Sequence, residues 1–318
     1  HTLSKDKLHA LVRASIEEYI DRVLPDLCEK SARFRYLFNR LCAAVERIMD
    51  EVSEELQSSD FEPLAFELAF GADGQLPAIT IREENGTARV VGKVDRVDGW
   101  LHDGKLYLRV VDYKTGKKSF DLAELRYGLG LQMLLYLFTL KEEGQMLFGG
   151  HEIVPAGVLY TPAREPMLRC ARDTEPEKIE KALKKELRRS GMVLEDPAVL
   201  QAMEHSALES PCYLPIAVKR DGAVTGSLAS AEQLGKLSKY VDHILHEITQ
   251  EVFAGNIDAD PYARTPQQSA CTYCEFASAC HFENGCGSDR MEYIKATKND
   301  EFWQYIDEVN GEGAHENG

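Results

Sequence analysis

The feature that most constrains this chain is a pair of apolar, alternating segments at 90–97 and 105–113. They are joined through His102-Asp103-Gly104 and followed by a strongly apolar run to Tyr136. β-Branched residues at alternate positions favour strands, and Asp-Gly between two such runs signals a hairpin. Successive strand side chains point to opposite faces. Leu108, Val110, Asp112 and Lys114 therefore share one face, while Arg109, Val111 and Tyr113 share the other. Val91, Lys93, Asp95 and Val97 form one face of the preceding strand, so Asp95 stands beside Asp112 if the hairpin register allows. Two ionised carboxylates held close repel unless a cation sits between them, and hard oxygen ligands favour Mg²⁺ or Mn²⁺. The pattern predicts a divalent-metal site with Lys114 at its edge. Its plainer alternative is a solvated strand end carrying a local ion pair.

At 318 residues, with 44% hydrophobic and 28% charged residues, the chain has the make-up of a globular protein large enough for one or two cores. No apolar run approaches the roughly 18 residues of a membrane span, and no basic-then-apolar leader opens the sequence, so a cytoplasmic location is expected. The formal charge of −16 argues against a basic nucleic-acid footprint over the whole surface. A local groove stays open. With nucleic acid as substrate, bound metal and a partner protein would supply part of the positive field.

In chain order, residues 3–58 read as helices. Leu8, Leu11, Val12, Ile16, Tyr19, Ile20 and Val23 recur at helical spacing before Pro25, and a second stripe runs from Leu37 to Leu56. Cys28, Cys42 and His9 fall in this region; lone helical cysteines usually serve as small core hydrophobes. Strands are expected at 63–70 and 78–82. Glu67 sits in the first, either paired, protonated or metal-bound within the core, or facing solvent. Gly116-Lys117-Lys118-Ser119 is a basic loop, a phosphate contact or a solvated turn. Asp121 is a fitting N-cap for a helix reaching Leu140, on which Gln132 and Tyr136 lie one turn apart. The nearly all-apolar segment 153–161 reads as a central strand. In the charged helix 175–189, Lys178, Lys181, Lys185 and Arg188 share a face, but interleaved glutamates favour a salt-bridged solvent face over a nucleic-acid stripe. A strand at 214–219 and a long helix at 229–255 follow; the tail from Ser288 onward is acidic, and GEGAHENG at its end is expected to be disordered.

Four of the eight cysteines lie within 271–286. Cys271-x2-Cys274-x5-Cys280 is compact for a reducing compartment, where disulfides are disfavoured. Thiolates at this spacing hold Zn²⁺ or an iron–sulfur cluster, with Cys286 or His281 a possible fourth ligand for zinc.

Taken together, GKVDRVD, VVDYKTGKKSFD and YGLGLQMLLYL, with FELAFG before them, resemble the successive motifs of the PD-(D/E)xK nucleases of the RecB type, and most closely the AddB-type nuclease domains of bacterial AddAB helicase–nucleases. The resemblance covers roughly residues 63–282. It implies a restriction-endonuclease-like α/β fold, a mixed sheet flanked by helices, with a helical lead-in (1–60), a nuclease core (61–287) and a partly disordered acidic tail (288–318). It implies a Mg²⁺- or Mn²⁺-dependent DNA exonuclease acting in double-strand break repair and recombination beside an AddA-like helicase–nuclease subunit. Asp95, Asp112 and the Tyr113 carbonyl would bind metal, Glu67 would assist, Lys114 would orient or deprotonate the attacking water, and Gln132 and Tyr136 would hold substrate. It also favours a 4Fe–4S cluster on Cys271, Cys274 and Cys280. In the family a fourth cysteine and a metal-binding histidine lie upstream, without counterparts here. A piece of a longer subunit is therefore expected, with its cluster incomplete and its activity in doubt. A non-catalytic scaffold or DNA-end-binding module retaining the fold is the competing expectation, and a zinc-stabilised interaction domain a third.

Overall fold

A computed structural model describes residues 3–23 and 31–316, with side chains through Gly311; Pro25 and Cys28 lie outside the described residues. Two helices, α1 (Lys5–Val23) and α2 (Ala32–Gln57), precede strands β1 (Glu62–Phe70), β2 (Ile79–Glu83), β3 (Gly86–Val90), β4 (Gly92–His102) and β5 (Lys105–Lys114). Helices α3 (Leu122–Arg126) and α4 (Gln132–Glu143) lead to β6 (Glu152–Pro162), α5 (Pro176–Glu186), β7 (Ser190–Leu194) and α6 (Pro197–Met203). Then come β8 (Ile216–Val218), β9 (Val224–Gly226), β10 (Leu228–Ala229), α7 (Ala231–Ala254), β11 (Tyr262–Thr265), β12 (Gln268–Ser269), α8 (Ala277–Cys280), β13 (Glu292–Tyr293) and α9 (Asn299–Glu316). The class is α/β, with a six-stranded mixed sheet in the order β1-β4-β5-β6-β7-β10. Strands β4 and β5 are antiparallel, β5 and β6 parallel, β6 and β7 antiparallel. A parallel pair needs a long crossover, and the chain between β5 and β6 carries α3 and α4. Residues 1–67, 94–119 and 149–230 make one unit; 68–93, 120–148 and 231–318 make a second.

In the first unit, Val97, Leu108, Val110, Val111, Val158 and Leu159 are fully buried, as their apolar strands require. The same strands also bury charge. Arg96 and Asp98 on β4, Arg109 on β5, Arg189 before β7 and Glu55 on α2 are all nearly inaccessible to solvent. Arg109 Nε donates to Asp98 Oδ2 at 2.9 Å and Arg96 Nη2 to the same oxygen at 3.0 Å. Arg189 Nη2 donates to Glu55 Oε2 at 2.6 Å, and Arg109 Nη2 lies 3.4 Å from Glu55 Oε1. Burial alone would push the Glu55 carboxyl up, yet Arg189, Arg109 and Arg96 together hold it below the ordinary glutamate range. The Arg109 guanidinium also packs over Phe61, 5.2 Å from the ring centre. This cluster fastens α2 to the sheet.

The second unit is arranged on α7. Tyr240 donates to the carbonyls of Leu125 and Arg126, each at 3.0 Å, holding α3. His246 Nδ1 and Gln250 Nε2 reach the Glu83 carboxylate on β2 at 2.5 and 3.1 Å. The single helix expected from Asp121 to Leu140 is two. Asp121 does cap α3, accepting from Ala123 N at 2.8 Å, but Gly128 and Gly130 both adopt φ of +70°, a conformation that ends a helix. In the tail, α9 runs from Asn299 to Glu316. Phe302, Trp303 and Ile306 are buried, Tyr305 packs on Tyr240 with ring centres 6.0 Å apart, and Asn310 Nδ2 donates to the Lys236 carbonyl. These contacts hold the part of α9 that precedes GEGAHENG.

Removing one member of a buried ion pair strands the others, at a cost of about 3–5 kcal/mol. Glu55→Ala should lower unfolding free energy by that amount in denaturant titration. The native carboxyl is depressed, so its contribution should be full above pH ~4.5 and disappear as pH falls through the lower native value. Glu55→Ala should accordingly flatten the acid limb of a stability-versus-pH curve; an unchanged acid limb contradicts the assignment.

Candidate active site

The β4–β5 register runs from His102 opposite Lys105 to Arg96 opposite Val111. The pairing ends there; the next residues, Asp95 and Asp112, are near enough for the Asp95 charge to act on the Asp112 carboxyl. Past that point β4 no longer offers a main-chain partner. The Asp95 carboxylate takes over, accepting from the Tyr113 backbone N–H at 2.9 Å. In an extended strand a residue's N–H and C=O point to the same edge, so the Tyr113 carbonyl is turned toward Asp95 as well. Lys114 Nζ lies 2.6 Å from Asp112 Oδ2 and 5.7 Å from the centre of the Tyr160 ring.

Asp112 is 7% exposed and its Oδ2, despite the lysine, has no aligned hydrogen bond. Burial pushes its carboxyl above the ordinary aspartate range; Lys114 pulls the other way, and the neighbouring Asp95 charge raises it again. A cation between the two would relieve both the burial and the repulsion. Among the described residues no three His, Cys, Asp or Glu side chains gather into a metal-holding group. Two carboxylates and a carbonyl nonetheless suit Mg²⁺, which is commonly held by one or two carboxylates, with waters and substrate phosphates completing the octahedron. The donor set fits that ion.

What holds Asp112-Tyr113-Lys114 is on the opposite face. Arg96 Nη1 donates to the Tyr113 hydroxyl at 2.6 Å, and the guanidinium lies 5.6 Å from the ring centre. Sequence reasoning misses this support, although Arg96, Asp98 and Arg109 alternate with apolar residues in strands otherwise suited to burial. Glu67 is exposed and has φ of +52°, rare for a residue with a Cβ. The expectation of a buried glutamate is therefore replaced by its solvent-facing alternative.

In the second unit, Gln132 Nε2 donates to the Tyr136 hydroxyl at 3.1 Å. Tyr136 is buried and stacks on Phe70, with ring centres 5.4 Å apart and planes within 6°. Gly92 explains itself here: a Cβ at that position would overlap the Tyr136 hydroxyl. Cys271, Cys274, Cys280 and Cys286 are free thiols, none of them buried. Cys271 begins a turn closed by Cys274 N to Cys271 O at 3.3 Å, and Cys280 ends α8.

A family model described as the PD-(D/E)XK nuclease superfamily matches residues 3–281. Curated relatives named as one subunit of an ATP-dependent helicase/deoxyribonuclease include that of Ruminiclostridium cellulolyticum, 31% identical over 297 residues, covering 92% of this chain and 26% of the relative. Those of Acetivibrio thermocellus and Clostridium botulinum (strain Loch Maree) are each 32% identical, covering 96% and 92% of this chain and 27% and 26% of the relatives. The chain thus spans about a quarter of the length of these relatives. It belongs to the PD-(D/E)XK nuclease superfamily.

Gly92→Ala should cost about 1–3 kcal/mol, the scale of forced overpacking. Because the hydroxyl is the first atom met, Gly92→Ala combined with Tyr136→Phe should recover part of that loss. Thermal melts of the two single variants and the pair check it; strictly additive losses would show the two sites to be independent.

Proposed function

We propose that this member of the PD-(D/E)XK nuclease superfamily is a metal-dependent DNA exonuclease domain. It would work within an AddAB-like helicase–nuclease, with an AddA-like protein as partner, in recombinational repair of double-strand breaks. No helix among the described residues is long and apolar enough to cross a membrane, and a cytoplasmic location is part of the proposal. What supports the reading is that Asp95 and Asp112 are the next residues beyond the last β4–β5 pair, Arg96 and Val111, with the Asp95 charge acting on Asp112 and Lys114 in contact with Asp112.

Asp95, Asp112 and the Tyr113 carbonyl would hold the divalent cation, which supplies Lewis acidity toward the phosphate and the attacking water. Lys114 brings three N–H donors and no acceptor. It would orient the water and stabilise the negative charge that grows on the phosphate oxygens as a new P–O bond forms and the ester P–O bond breaks. The water's proton leaves to solvent, and the departing oxygen is protonated in turn. Glu67 would assist through solvent, and Gln132 with Tyr136 would position the strand. A 4Fe–4S cluster would draw thiolates from Cys271, Cys274 and Cys280, with Cys286 the local candidate for a fourth.

Asp112→Ala and Lys114→Ala should each lower Mg²⁺-dependent DNA degradation by at least ~10²-fold while leaving the circular dichroism spectrum unchanged. Wild-type rates in both variants would remove the assignment. For the cysteines, iron and sulfide analysis after anaerobic purification should give fewer than about four irons per chain, the content of a complete cubane. A full complement that falls in Cys286→Ser would make Cys286 a ligand, and one zinc per chain would replace iron with structural zinc.

A further inference from the structure

Against a net charge of −16, positive side chains gather around a groove in the first unit. Beside Lys114, a groove of about 390 Å³ is walled by Lys117, Lys118, Arg164, Lys185 and Arg188. They come from the loop after β5, the segment after β6, the end of α5 and the residues just beyond it, so the concentration is made by folding and not by a run in the sequence. The groove lies at the carboxyl ends of the parallel pair β5–β6, where open α/β sheets commonly bind ligands. Lys185 and Arg188 belong to the segment whose sequence favours simple solvation, yet both line the groove, Arg188 with its Nη2 donating to the Pro211 carbonyl, while Lys178 and Lys184 pair with Glu175 and Glu180.

Among the described lining residues Glu186 is the one carboxylate. Its Oε2 lies 3.3 Å from Lys117 Nζ and 3.2 Å from Arg164 Nη2. A single anionic oxygen held between two cations is the arrangement a phosphate oxygen would make. Positive charges crowded in this way repel one another, and further anions entering the groove relieve that repulsion.

We propose that this groove is the track for the sugar–phosphate backbone of the nucleic-acid strand that reaches Lys114, and that Glu186 holds in the free protein a position that a backbone phosphate takes on binding. The identity of the anion rests on the nuclease reading. The geometry of the track does not. Strand entry exchanges the Glu186 contacts of Lys117 and Arg164 for phosphate contacts, so Glu186 opposes binding while the lysines favour it.

The test is fluorescence anisotropy of a labelled single-stranded oligonucleotide with this chain in EDTA across a salt series, where no cleavage intervenes. Each lysine that meets a phosphate adds about 0.7 to the slope of log affinity against log salt for single strands, roughly fivefold at 0.1 M relative to 1 M salt. Lys117→Ala and Lys185→Ala should each weaken binding by about that factor and lower the slope by about 0.7. Glu186→Gln should tighten it. Unchanged affinity and slope in both lysine variants, weaker binding in Glu186→Gln, or no binding by the unaltered chain overturns the proposal. Inorganic phosphate that competes as well as the oligonucleotide at equal phosphate concentration also overturns it, in favour of a free-anion site. Mg²⁺-dependent cleavage by the unaltered chain separates the two readings: its absence removes the nuclease reading, its retention in both Asp112→Ala and Lys114→Ala removes only the site assignment, and the anisotropy result decides the groove in every case.

Discussion

Five charged side chains withdrawn from water on one face of the sheet set the conditions for everything else in the first unit. Arg96, Asp98, Arg109, Arg189 and Glu55 come from two strands, a helix and a strand entry. Desolvating each costs several kcal/mol, and only the complete set of partners offsets that cost. Such a cluster is nearly all-or-none. It fixes α2 to β4 and β5, and through the Arg96–Tyr113 hydrogen bond it fixes the last turn of the pleat on β5. Because side chains alternate along a strand, holding Tyr113 on the buried face holds Asp112 and Lys114 on the other. The precision of the candidate site is thus set from behind.

The front face has the opposite character. Asp95 and Asp112 press negative charge together in a half-dry place, Asp95 gives up one oxygen to the Tyr113 N–H, and Asp112 keeps a buried oxygen without an aligned donor. Lys114 belongs at once to this pair and to the basic groove. An overall charge of −16 and a positive track are compatible, since salt screens exposed charges beyond about 8–10 Å. What an approaching polyanion meets is local. The acidic remainder of the surface would discourage binding elsewhere.

Much of this is legible in the sequence because strands and hairpins obey a short period. The alternation at 90–97 and 105–113, with Asp-Gly between, leads to β4, β5 and the shared face of Asp95 and Asp112; the apolar run 153–161 leads to β6. The break in the helix after Asp121 escapes such reading because the apolar spacing continues across Gly128 and Gly130, and only their left-handed backbone reveals it. Strand β7 escapes too, because five residues directly after a charged helix give too short a pattern. The buried arginines and the groove have a different cause. Charged residues are read as solvated by default, and their partners lie far away in sequence, Arg109 from Glu55 and Lys117 from Glu186. Such partnerships are tertiary facts.

The central claim is that Asp95 and Asp112 face one another to hold a single hard cation. Crystals of this chain soaked in Mn²⁺ and measured at the manganese edge test it most directly. One anomalous peak is expected within about 2.1–2.2 Å of a carboxylate oxygen from each aspartate, with the Tyr113 carbonyl turned toward it. A peak elsewhere, or none at saturating Mn²⁺, would contradict that claim.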